Sequence, residues 1–394
     1  MALPGTPGKS SKCNGILRCL PQEEIRWGDG IVAEALQGLR VQGIERAIVF
    51  TVNSLLDSAS RLVLPHLHEP ADVISDMPAH APDTAIEAAL SRCIVSGARA
   101  IVAYGGGSVL DAAKAVSHFH GRVHGGNLPI IALPTTLSGS EFSHYFGVTE
   151  TSGARPFKRS YADRETVPQV VLLDPNLLLN TPRSLLLSSA IKGLDHAIEG
   201  MRLIDADHPH AIMAAAGVRG FFDVLAKWPR ELETRRAIED GKVSLEDLLQ
   251  LQLAAWRCYF YPASVIYGLS HRIGHVLGGT FGLPHSVTSC ITLAPVIRSC
   301  AARYDDKLRV FEDRAGLQAG DLLADRIQAL VSHLGLPSRL RAFDIDTTML
   351  SEIANLLREH YAAEVADLGE DVDRKLDELL QNLWCPPTGA MSEP

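Results

Sequence analysis

The sequence has no Cys-X-X-Cys pair, no apolar run long enough to cross a bilayer and no excess of positive charge. Its 7 cysteines, at positions 13, 19, 93, 258, 290, 300 and 385, are spaced too irregularly for a disulfide framework, which points to reduced thiols in a cytoplasmic protein. The opening residues, MALPGTPGKSSKCNGILRCLP, lack the apolar core of a secretory signal, so the chain is expected neither to span a membrane nor to anchor to one. A net charge of −9 argues against nucleic acid or an anionic membrane as partner, and leaves room for a local basic pocket that takes a small acidic substrate. Internal repeats are absent, and the only biased stretches are the Pro-, Gly- and Ser-rich ends, residues 1–13 and CPPTGAMSEP, read as frayed.

What remains is a chain of 394 residues, 46% hydrophobic and 21% charged, large enough for two domains. Up to about residue 175, short apolar runs alternate with helix-like segments. The runs RAIVFT (46–51), RAIVAY (99–104), LPIIALP (128–134) and QVVLLD (169–174) suit strands buried on both faces of a parallel sheet. Between two of them, DTAIEAALSRCIVSG (83–97) has an acidic first turn and a C-capping Gly97, as a crossover helix should. From Ser184 to about Leu383 the pattern is helical, as in SLEDLLQLQLAAWRCYF and DVDRKLDELLQNLW. The expected fold is an α/β N-terminal domain, residues 1–180, followed by an all-α C-terminal domain, residues 181–394.

Three motifs carry chemistry. In AIVAYGGGSVLDAAKAV a strand ends at Tyr104, and Gly105, Gly106 and Gly107 lead into a helix starting near Ser108, with Asp111 in its first turn. Glycines let a ligand approach the backbone, and a helix N-terminus offers free N–H groups and a positive dipole end to a pyrophosphate. The motif is neither GxGxxG nor a P-loop, and taken alone it is equally a plain glycine turn. In LPTTLSGSEFS, Thr135, Thr136, Ser138 and Ser140 crowd the end of another strand, where ligands of open α/β sheets bind, although hydroxyls also simply cap turns. In GLSHRIGHVLGGTFGLPHS, His271 and His275 share a helical face and His285 follows a Gly-Pro loop; a single histidine on such a helix is ordinarily a core residue, but three so close together can converge with His196 on one polar site.

With these motifs in this order, the sequence resembles the iron-containing (group III) alcohol dehydrogenases over roughly residues 25 to 300, through GGGSVLDAAK, LPTTLSGSE, DHAIEG and HRIGHVLGGTFGLPH. GHVLGGTFGLPHS is most similar to the maleylacetate reductase branch. The resemblance implies a nicotinamide-dependent oxidoreductase, a homodimer acting on a small molecule. It places the cofactor pyrophosphate on Gly105 to Ser108, Asp111 at the nicotinamide end, and Thr135, Thr136 and Ser138 along its path. Metal-binding members use an Asp four residues before the first of three histidines. The histidines match here as His196, His271 and His285, with His275 as a non-ligand near the substrate, but the Asp position is Lys192.

An ammonium ~4 Å from a divalent cation would be repelled by about 8 kcal/mol at an effective dielectric of ~20. Asp195 points away from His196 on a helix, and can instead reach Lys192 at i, i+3. The leading expectation is therefore a metal-independent NAD(P)H reductase of an unsaturated or keto acid, in which Lys192, His196, His271, His275 and His285 stabilise negative charge on oxygen and deliver a proton. The alternative is a metal-dependent alcohol dehydrogenase that holds its ion on His196, His271 and His285. A third reading is a non-redox relative resembling dehydroquinate synthase. The family's cofactor-selecting Asp after the first strand is also missing, since the chain reads FTVNS there, and this leaves NADH and NADPH both open.

Overall fold

The computed structural model describes residues 17–39, 44–78, 81–151, 157–205, 207–262, 265–304, 306–317 and 322–385; the biased ends, Cys385 apart, lie outside them. Strands β1 (Glu24–Trp27), β2 (Ala47–Phe50), β3 (Asp72–Ile74), β4 (Ala100–Gly105) and β5 (Ile130–Pro134) belong to one sheet. The chain then forms an antiparallel pair, β6 (Tyr145–Glu150) and β7 (Phe157–Ala162), and returns to the sheet with β8 (Val170–Leu173). The order is β1-β8-β5-β4-β2-β3 and every neighbouring pair is parallel. The four apolar runs are thus its central strands. The sequence reading passes over β1 and β3 because these edge strands are short and only partly buried, so they carry no continuous apolar signal.

Helices α1 (Val32–Gly38) and α2 (Leu56–Leu62) cover one face of the sheet; α3 (Asp83–Ser96) and α4 (Gly107–His124) cover the other. Alternation along β2 decides which side chain meets which layer: Ala47 and Val49 pack with Leu36 and Ala59, while Ile48 and Phe50 pack with Ile86. Each large apolar side chain buried this way stabilises the domain by ~1.5–3 kcal/mol. Helix α3 stops at Gly97, whose φ of 64° is the left-handed cap expected of it. The chain passes outward from β2 to β3, then crosses back so that β4 lies on the other side of β2. The carboxyl ends of β2 and β4 therefore flank the point where the winding reverses, the ligand crevice of this architecture.

Beyond β8 the described residues are helical: α5 (Arg183–Glu199), α6 (Pro209–Leu225), α7 (Thr234–Glu239), α8 (Leu245–Cys258), α9 (Leu269–Phe281), α10 (His285–Ser299) and further helices ending with Val372–Trp384. None is long and apolar enough to cross a membrane. Every residue of α5 from Leu186 to Glu199 is buried. Gly193 lets it close on α6, since a Cβ there would lie 2.7 Å from the Phe221 ring. A helix buried all round is ordinarily apolar all round. This one carries Lys192, Asp195, His196 and Glu199, and burial obliges those groups to find partners.

Candidate active site

On the sheet side, α4 begins at Gly107 directly after β4, and no side chain caps it. Its first amides therefore point into the crevice without an intrahelical partner. The glycines are required by packing as well as by access. A Cβ on Gly105 would lie 2.5 Å from Val109, and one on Gly106 would lie 2.9 Å from the Thr136 methyl. Gly107 faces Ser138, whose hydroxyl is 3.3 Å from that of Thr136. Thr135 is buried; its amide donates to Gly105 and its carbonyl accepts from Thr181. Gly105, Gly106, Gly107, Ser108, Thr135, Thr136 and Ser138 thus come together at adjoining strand ends, and these glycines and amides fit a dinucleotide pyrophosphate.

Asp111 departs from expectation in two respects. The helix starts one residue earlier than read, so Asp111 falls beyond its first turn, and its carboxylate accepts from Ser140 and from the Gly147 amide. Behind it Lys114, fully buried and overlooked in the sequence, donates to the Ser140 carbonyl at 2.6 Å, the Ser140 hydroxyl at 3.0 Å and the Tyr145 carbonyl at 3.0 Å. After β2, Val52 forms a backbone bridge with Asp76 of the neighbouring strand end, whose carboxylate lies 3.9 Å from Arg92, and Ser75 donates to Asn53 at 2.9 Å.

On the helical side, Lys192 Nζ lies 3.2 Å from Asp195 Oδ2, the i, i+3 pair that the spacing suggests, with both side chains out of water. The same Asp195 oxygen accepts from Ser289 of α10, and its other oxygen is 3.3 Å from His271 Nδ1. Burial would raise the Asp195 carboxyl, but the positive charges of His271 and Lys192, with hydrogen bonds from His271 and Ser289, outweigh it and hold the group well below the usual carboxylate range. One turn on, Glu199 accepts from His271 Nδ1 at 2.9 Å. His196 sits with its ring 4.8 Å from that of His271 and 4.3 Å from that of Tyr259; burial first, then the charges of His271 and Lys192, keep it uncharged. Tyr267 stacks on His271 at 4.4 Å. His271 Nε2 and His196 Nδ1 are both buried with no hydrogen-bond partner among the described residues.

The two sides meet. The Leu137 amide, next to Thr136, donates to Ser189 Oγ of α5 at 3.0 Å. Gly139 abuts Tyr259, which in turn packs on His196. Lys192, His196 and His271 are therefore gathered beside the cradle. His275 and His285 form a second pair, rings 5.7 Å apart, with His275 beside Tyr361.

As a metal cage the predicted donors do not fit. Among the described residues the group of three possible ligands with donor atoms within 4.8 Å of one another is Asp195, Glu199 and His271; the set His196, His271 and His285 is not such a group. The acidic group is already committed to Lys192, Ser289, His271 and backbone amides. Asp195, Glu199, Tyr259 and Tyr267 complete the site and were not singled out as site residues in the sequence. Asp195 and Glu199 fall at i and i+4 of a buried helix, a signal that could have found them.

Residues 21–175 match the iron-containing alcohol dehydrogenases, and residues 187–365 match the C-terminal region of the Fe-containing alcohol dehydrogenase family. A maleylacetate reductase of Pseudomonas aeruginosa is 30% identical over 295 residues, 74% of this chain and 77% of that protein. The crystal structure of an iron-containing alcohol dehydrogenase from Corynebacterium glutamicum superposes with a TM-score of 0.81 at 25% identity, over 94% of this chain and 97% of that one. A sulfoacetaldehyde reductase from Bifidobacterium kashiwanohense, solved in complex with NAD+, shares the fold with a TM-score of 0.76 at 22% identity, over 94% of this chain and 98% of that one.

Proposed function

We propose, for a chain that belongs to the iron-containing alcohol dehydrogenase family in its maleylacetate reductase branch and is therefore an oxidoreductase, that it uses NAD(P)H to reduce an unsaturated or keto acid resembling maleylacetate, and does so without a metal. The observation that carries this reading is Lys192: at the position where metal-binding relatives have a ligand, a buried ammonium is locked onto the ionised Asp195.

The bound nicotinamide supplies a hydride. The free amides at the start of α4 hold the pyrophosphate, with Thr135, Thr136 and Ser138 flanking it. At the adenosine end, Asn53 and Asp76 lie at neighbouring strand ends, and the Asp76 carboxylate, beside Arg92, would accept from ribose hydroxyls and disfavour a 2′-phosphate, which makes NADH the expected cofactor. As hydride arrives at substrate carbon, negative charge builds on the conjugated oxygen, and the Lys192 ammonium, aimed by Asp195, stabilises it. His271 then delivers the proton from Nε2, the nitrogen with no hydrogen-bond partner among the described residues, so one hydride and one proton are added across the double bond. His196, uncharged, and the Tyr259 and Tyr267 rings exclude water from the reacting atoms.

The two orphaned imidazole nitrogens are what a metal-dependent reading would use, and one experiment separates the two. Elemental analysis of the purified protein is combined with NADH and NADPH oxidation on a panel of unsaturated and keto acids before and after chelation. Substoichiometric metal with activity that survives chelation supports the reading. Stoichiometric metal whose removal abolishes turnover overturns it.

A further inference from the structure

The two ends of α4 offer opposite things to a ligand. Its start presents free amides to the crevice, whereas its far end carries His120 and His124, whose imidazole rings lie 4.8 Å apart and 37° from parallel. Residues four apart on a helix share a face, so this closeness follows from spacing. His120 is half-buried and His124 is exposed. The chain beyond the helix settles which nitrogen of His120 carries hydrogen. Gly125, with a φ of 77°, turns the backbone back, and His120 Nδ1 meets the Gly126 carbonyl at 2.7 Å. A carbonyl only accepts, so neutral His120 is protonated on Nδ1 and keeps a lone pair on Nε2. Histidines that hold metal ions ordinarily donate their second nitrogen to a carbonyl or carboxylate in just this way. The other histidine of this helix is used differently: His118 Nδ1 lies 2.6 Å from Asp163, and its ring packs among Phe119, Phe146 and Tyr161.

We propose that His120 and His124 form a surface chelate for a divalent transition-metal ion, separate from the active site, that binds Cu²⁺ more tightly than Ni²⁺ or Zn²⁺. Imidazole nitrogens select these ions over Mg²⁺ and Ca²⁺, which take oxygen ligands, and the preference for copper is the intrinsic one of nitrogen donors. Nε2 of His120 and one ring nitrogen of His124 supply two ligands, and water completes the set. The location favours a cation as well, since the C-terminal end of a helix is the negative end of its dipole. Once one imidazole has bound, the second meets the ion at the effective concentration set by the helix, which makes the pair ~10²-fold tighter than a single exposed histidine. The bound ion fastens the last turn of α4 to the Gly125–Gly126 turn through His120. It does so ~27 Å from the free amides at the other end of this 18-residue helix.

Calorimetric titration with Cu²⁺, in the presence of glycine as a competing chelator, tests this on the metal-free full-length protein and on His120→Gln, His124→Gln and the double variant. A chelate predicts that each single change weakens the site by about 10²-fold and that the double variant is no weaker than either single one. Without copper, all three variants should keep the wild-type melting temperature and cofactor affinity. His124→Gln leaves the contact between His120 and Gly126 in place, so it decides the matter even if His120→Gln disturbs the turn. In copper-soaked crystals, an anomalous-difference peak should lie between the two rings. Equal copper affinity in the wild type and His124→Gln overturns the proposal, and so do additive losses, which would mean two independent histidines. A peak found only elsewhere in the molecule overturns it too.

Discussion

Lys114 on α4 and Lys192 on α5 are both buried, yet the first faces neutral oxygens and the second an ionised carboxylate. On the sheet side burial dominates. It pushes the Lys114 ammonium down to about 8, with Asp111 and Glu141 pulling the other way, and it raises the Glu141 carboxyl to about 7. One Glu141 oxygen has no hydrogen-bond partner among the described residues. On the helical side burial loses, because Asp195 is met by Lys192, Ser289 and His271 at once. A buried group set mainly against neutral oxygens drifts toward neutrality, whereas a carboxylate met by opposite charge and hydrogen-bond donors keeps its charge. An ammonium held on a carboxylate beside a crevice is placed to stabilise a developing oxyanion, whereas Lys114 is spent on the scaffold's own carbonyls.

The largest effect expected from this contrast is on turnover. Lys192→Ala should lower kcat by about 10²- to 10³-fold, the usual worth of one oxyanion donor, while Asp195 keeps His271 and Ser289 and the fold survives. Lys114→Met should do the reverse: urea unfolding should show a loss of ~2 kcal/mol, because the Ser140 and Tyr145 carbonyls lose their donor, and kcat should change far less. A swap of these two outcomes would break the comparison.

Next in size is a pH effect confined to the sheet side. With its folded value near 7 against 4.5 in the unfolded chain, the protonated Glu141 contributes stability that is fully present below pH 4.5 and is lost as the pH rises through 7. Glu141→Gln should therefore unfold like the wild type near pH 4.5 and be more stable by about 3 kcal/mol above pH 7. Parallel stability curves for the two proteins would show that Glu141 is solvated or paired after all.

The smallest effect concerns the exposed rim, where water screens charge. Asp76→Ala should improve binding of NADPH relative to NADH by about tenfold, as one carboxylate repelling a phosphate through solvent would allow. Fluorescence titration of both cofactors measures it, and an unchanged ratio would remove Asp76 from the ribose contact.

By itself the sequence determined the sheet's central strands, the glycine cradle, the crossover helix and the helical character of the second half. These follow from local signals: apolar runs, a Gly-rich turn between strand and helix, and periodicity along the chain. Through its resemblance to metal-binding relatives it also implied that Lys192 stands at a ligand position, since position along a motif is a local property. Tertiary structure decided the rest. The edge strands β1 and β3 depend on pairing with distant neighbours, and Asp76 is brought to Val52 by a backbone bridge of the same kind. Of the five candidates on the helical side, folding drew Lys192, His196 and His271 together with Asp195 and Glu199, and left His275 and His285 as a pair of their own. Residue types and spacing indicate which groups can share a helix face. Which faces then meet, and which buried charges find partners, depends on contacts between helices far apart in the chain, and these form only when the whole core closes.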